Sequence, residues 1–100
     1  MTVIEYLLTC LIEEGAEIQQ RATKAQRFGL FEVQSGQKKT NRDRLEYEFL
    51  DQIAVIELLD EQGVVICDMT SKRARRLIDK KKRKVKKFLE YSKTLGVIER

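Results

Sequence analysis

Glu14 and Glu17 stand three residues apart, and so do Glu48 and Asp51. If both segments are helical, each pair projects from one side of its helix. Two such pairs on antiparallel helices can converge on one point, and four carboxylates brought together repel strongly unless a cation lies between them. Hard divalent ions such as Mg²⁺ prefer oxygen ligands of this type. The four residues therefore imply a metal before they imply any reaction. Glutamates at this spacing are also common on solvated helix faces, so placement has to separate the two cases. Phe49 and Leu50 lie between Glu48 and Asp51, with Leu45 and Ile53 just outside, so this pair borders an apolar stripe. Gly15 and Ala16 lie between Glu14 and Glu17 and leave room for close approach.

The elements that must position these carboxylates follow from apolar spacing. From Thr2 to about Arg27, Ile4, Leu7, Leu8, Leu11, Gly15, Ile18, Ala22 and Ala25 recur at three- and four-residue intervals and mark one face of a helix. Thr2 is its predicted N-cap, with Glu5 as capping-box partner. At about 1.5 Å per residue this helix is about 40 Å long, more than a compact chain of this size covers, so part of it is expected to pack on a second subunit. Gly29 ends it, and residues 29–39 read as a loop. A second helix begins at Thr40, capped by that side chain with Asp43 three residues on, and runs to about Glu61 before Gly63. Its stripe is Leu45, Phe49, Ile53, Ile56 and Leu59, widened by Leu50, Ala54 and Leu58. The run Val64 to Cys67 is too short to assign and reads as an extended connector or a buried turn. A last helix from about Thr70 to Leu95 carries Ala74, Leu77, Ile78, Val85, Phe88 and Leu89 on one side.

Composition agrees with this. No proline, five glycines, 36% charged and 42% hydrophobic residues suit long amphipathic helices and predict an all-α fold. The architecture expected is an antiparallel helical bundle of three to four helices in a single domain spanning residues 1–100. Its core is residues 2–61 and its basic C-terminal helix covers about 70–95. At 100 residues the buried share of surface is modest, so association into a homodimer or homotetramer is expected to complete it. Cys10 and Cys67 lack any metal-binding spacing, there is no histidine, and both cysteines read as small buried hydrophobes in a reducing cytoplasm. The stretch Val3 to Ile12, broken by Glu5, fits neither a signal peptide nor a membrane span, and no membrane partner is expected.

The segment Glu13-Glu14-Gly15-Ala16-Glu17, followed by Glu48-Phe49-Leu50-Asp51, resembles the E-E-x-x-E and E-x-x-D signature of the MazG-like all-α nucleoside triphosphate pyrophosphohydrolases. Arg21 to Gly29, Thr40-Asn41-Arg42 and Ala54 to Leu59 are also similar to small members of that superfamily, often encoded by phages. The likeness covers residues 7–61 well and the C-terminal third poorly. It implies hydrolysis between the α- and β-phosphates of a (d)NTP, giving a (d)NMP and pyrophosphate. Carried over, Glu14, Glu17, Glu48 and Asp51 become ligands of Mg²⁺, or of Mn²⁺ in its place. One of them, or Glu13, would orient or deprotonate the attacking water; Glu13, Glu14 and Glu48 are the residues named for that catalytic work. Lys24 and Arg27, seven and ten residues past Glu17, can meet the substrate phosphates or simply form a solvated basic turn at a helix C-terminus. Thirty residues separate Glu17 from Glu48, a somewhat long gap, and Gln52 follows Asp51 where relatives often continue with an apolar residue. Phe28, Phe31 and Tyr47 can stack on a base or fill core.

Charge divides the chain. Residues 1–71 hold 7 Lys/Arg against 13 Asp/Glu, whereas residues 72–100 hold 13 against 3. Within residues 72–87, eleven of sixteen positions are Lys or Arg. This run can gather triphosphate substrate or bind nucleic acid through its phosphates. It therefore supports a rival reading, a non-catalytic helical nucleic-acid-binding or interaction protein whose carboxylates are merely surface.

Overall fold

The computed structural model describes residues 1–99. Its regular structure is three α-helices, α1 (Val3–Phe28), α2 (Asn41–Glu61) and α3 (Lys72–Thr94). Among the described residues the only β pairing is an isolated antiparallel bridge between Val33 and Thr40, so the all-α expectation holds. No helix among them is long and apolar enough to cross a membrane. The chain forms two compact units, Met1–Ile66 and a second beginning at Cys67.

In the first unit α1 and α2 form an antiparallel hairpin. Leu7, near the start of α1, packs with Val55 and Leu59, near the end of α2. Gly15 faces the Gln52 side chain midway along, and Arg21 meets Glu48 further on. Leu59 is wholly buried and anchors a small core to which Cys10, Leu11 and Val64 add partly buried surface. Val64 is fixed by its N–H, which donates to the Leu59 carbonyl (2.9 Å), and the Val64–Cys67 run is an irregular connector.

Local chemistry sets the ends of the hairpin. Thr2 and Glu5 form the full capping box: the Glu5 N–H donates to Thr2 Oγ1 (3.1 Å) and the Thr2 N–H to Glu5 Oε2 (3.2 Å). Gly29 stops α1 at φ 101°, a left-handed conformation that side chains with a Cβ adopt at a cost, while its N–H donates to the Ala25 carbonyl. Thr40 caps α2 through the Asp43 N–H (3.1 Å). Residues 29–40 fold back on that cap. Asn41, almost fully buried, donates its side-chain amide to the Gly29 carbonyl (2.9 Å) and to Glu32 Oε1 (3.1 Å). The Asn41 and Arg42 N–H groups reach the Glu32 and Leu30 carbonyls. One amide side chain thus ties the end of α1 to the start of α2 and fixes how the two helices face each other.

Two expectations need correction. The face of α2 that packs on α1 carries Asn41, Val55 and Leu59 as its buried residues, with Leu45, Glu48 and Gln52 partly buried; Phe49 and Leu50 are half exposed. Of the expected stripe, Leu59 is buried and Leu45, Ile53 and Ile56 are partly buried, whereas Phe49 is exposed and Val55 is buried in its stead; the widening residues Leu50, Ala54 and Leu58 are exposed. Cys67 lies exposed in the connector, its thiol toward Met69 Sδ (3.8 Å), while Cys10 is partly buried as expected.

In the second unit Ser71 caps α3 by accepting the Ala74 N–H (3.0 Å). Arg75 pairs with Asp79 and Lys93 with Glu90 along its surface. Ala74 is its one buried residue.

Candidate metal centre

The hairpin register brings Glu14 and Glu17 of α1 beside Glu48 of α2. One carboxylate oxygen from each lies within 4.8 Å of the other two. Oxygens held about 2.1 Å from a single hard cation stand about 3–4 Å apart, so small rotamer changes would close this set on an ion. The donors are all carboxylate oxygens, the chemistry that Mg²⁺ selects. Two of them, Glu14 Oε2 and Glu48 Oε2, are shut off from solvent with no hydrogen-bond partner. Buried anionic oxygens without partners are costly, and a cation between them removes the cost.

Electrostatics points the same way. Burial, reinforced by the charges of Glu17 and Asp51, pushes the Glu14 carboxyl above its ordinary range. The Glu48 carboxyl rises from 4.5 to about 7, chiefly because Glu17 is close enough to share a proton with it, then through burial and the charges of Glu17, Asp51 and Glu14. The only cation against the cluster among the described ion pairs is Arg21, whose Nε lies 3.9 Å from Glu48 Oε1, too far for a hydrogen bond. Its Nη1 is buried and bonded to nothing. Arg21 is thus one partly buried positive charge set against three carboxylates.

The remaining sequence-predicted residues lie around this centre. Asp51 is exposed one helical turn past Glu48 and outside the group of three, though its charge reaches both Glu14 and Glu48. Glu13 is exposed on the flank of α1, where its charge raises the Glu14 carboxyl only slightly. Lys24 is partly buried, and Arg27 is exposed with its guanidinium 4.9 Å from the Phe28 ring centre. None of the three aromatic candidates fills core: Phe28, Phe31 and Tyr47 are all exposed, and the Lys39 ammonium sits 3.6 Å from the Tyr47 ring centre. Gly15 is not required for the close approach, since an added Cβ would meet the Gln52 amide at an ordinary 3.8 Å. Arg21, four residues after Glu17 and seven after Glu14 on the same helix face, was not among the expected site residues; spacing places it on that face, and only the hairpin register brings it to Glu48.

Comparisons of the chain with models of known protein families, with curated proteins and with solved structures found no match.

Proposed function

We propose that this protein is a Mg²⁺-dependent nucleoside triphosphate pyrophosphohydrolase with a MazG-like hairpin site, cleaving a (d)NTP to a (d)NMP and pyrophosphate. The observation that carries the reading is the convergence of Glu14, Glu17 and Glu48 from two helices, with buried carboxylate oxygens that have no protein partner. The signature spacing of Glu13 to Glu17 and of Glu48 and Asp51 supplies the reaction class. Glu14, Glu17 and Glu48 would hold the ion, with Asp51 joining from the next turn of α2. Mg²⁺, or Mn²⁺, supplies charge neutralisation at the phosphates and a more acidic water. Glu13, Glu14 and Glu48 are the carboxylates that would orient the attacking water or accept its proton. Lys24 and Arg27, on the last turns of α1, would engage the triphosphate.

The same reading includes self-association. Ile12, Phe49 and Leu50 are half exposed or more on the hairpin, and a second copy burying them would complete a four-helix arrangement as a homodimer or homotetramer. Pyrophosphate release across the common ribo- and deoxyribonucleoside triphosphates tests the activity. Turnover is expected with Mg²⁺ on at least one of them, with a loss of at least about a hundredfold in Glu48→Gln, as for removal of one charge-stabilising group. No turnover with Mg²⁺ or Mn²⁺ on any triphosphate would refute it.

A further inference from the structure

α3 carries twelve Lys/Arg and two acidic residues over Lys72–Thr94. Leu77, Ile78, Val85, Phe88 and Leu89 nevertheless gather on one side: taken at about 100° per residue, they fall within an arc of about 120°. Four of the five are substantially exposed, Val85 and Phe88 by more than half. Lys82 and Lys84 border the arc on its two sides, and Lys81 crosses it. Between Ile78 and Val85 runs a shallow groove of about 370 Å³, walled by Lys81, Lys82 and Lys86. Its floor is aliphatic and its rim is ammonium.

We infer that α3 is an interfacial helix that docks on the surface of an anionic phospholipid membrane. The arc and the charge each limit what can cover this face. A second copy of α3 laid on it would bring two sets of Lys81, Lys82 and Lys84 together, and like charges at that range repel. A nucleic acid would satisfy the ammonium groups through its phosphates but leave the five apolar side chains in water. An anionic bilayer surface meets both demands. Phosphate headgroups face the lysines, the acyl boundary takes Val85 and Phe88, and the aliphatic stems of Lys82 and Lys84 lie along it while their ammonium groups stay at headgroup level. The absence of a spanning segment is compatible with this, because such a helix lies in the plane of the interface.

Co-sedimentation of the full chain with vesicles of phosphatidylcholine alone, and of phosphatidylcholine mixed with phosphatidylserine, tests the inference, with a mixed-sequence DNA duplex as the parallel ligand. Binding is expected to the mixed vesicles and not to the neutral ones, weakening as salt rises. Val85→Ser with Phe88→Ser should lower that affinity by more than about tenfold, since each side chain loses its place in the acyl boundary with no change of charge. Lys82→Glu with Lys84→Glu should lower it as well. All four positions are exposed, and circular dichroism checks that each variant keeps its helix. Equal binding to both vesicle types, no binding to either, or anionic binding untouched by the Val85/Phe88 change would overturn the inference. Tight DNA binding without vesicle binding would also overturn it, in favour of a nucleic-acid partner.

Discussion

α2 and α3 have similar lengths and opposite fates. α3 separates its polar and apolar sides clearly, yet buries a single alanine. α2 hardly separates them, because apolar residues occur on two of its faces, yet it supplies Asn41, Val55 and Leu59 to the interior. Amphipathy gives a helix a face to hide, and burial then requires a partner with a matching surface in register. α1 is that partner for α2. Its seam carries Leu7, Leu11, Glu14, Ile18, Arg21 and Ala25, all wholly or partly buried, and accommodates charged groups in the middle between an apolar end and a hydrogen-bonded end. The hairpin thus holds Glu14 and Glu48 partly buried between its helices, with Glu17 exposed beside them, so charge there is costlier than on α3, whose many cations are solvated.

The sharpest way to break this contrast is to truncate one side chain in each helix. Leu59→Ala opens the hairpin core and should cost about 2–5 kcal/mol, with each kcal/mol worth about 4–8 °C in melting temperature for a unit of this size. Val85→Ala in α3 should stay within about 0.5 kcal/mol, as expected for an exposed position. Comparable losses in the two variants would mean that the α3 arc is packed and not free. A smaller effect is expected at the closed end of the hairpin. Asn41→Ala removes two side-chain hydrogen bonds, to the Gly29 carbonyl and to Glu32, at about 1–3 kcal/mol. Urea denaturation measures this, and an unchanged midpoint would show that the loop is held by its backbone contacts alone.

Much of this was legible in the sequence. Thr2, Thr40 and Gly29 mark helix ends through local hydrogen bonding and backbone freedom, which a short window of residues determines. The pairs Glu14/Glu17 and Glu48/Asp51 were readable because a three-residue spacing fixes a helix face, but which of the four meet depends on the hairpin register, and Asp51 stays outside the group. The seam of α2 was less so: Val55 and Phe49 are both apolar, and only the position of α1 decides which is buried. Arg21 escaped for a related reason. A single arginine on a charged helix is ordinary, and its meeting with Glu48 depends on the register of the hairpin. That register depends in turn on the clasp made by Asn41, a residue whose type in the sequence suggests only a helix start.

The proposed function rests on Glu14, Glu17 and Glu48 sharing one cation. Melting curves of the parent and Glu48→Gln, in EDTA and in Mg²⁺ and across pH, test it most directly. Because the Glu48 carboxyl is raised in the folded state, its contribution to stability is fully present below 4.5 and is lost as pH rises through about 7. In EDTA the parent should therefore lose melting temperature over that window, and Glu48→Gln, which cannot ionise, should lose less and melt higher at the alkaline end. Mg²⁺ at a hundredfold excess over its dissociation constant should restore about 2.7 kcal/mol to the parent and much less to the variant. Parallel pH profiles and equal Mg²⁺ shifts in the two proteins would contradict the account, showing that Glu14, Glu17 and Glu48 lie near one another without sharing an ion.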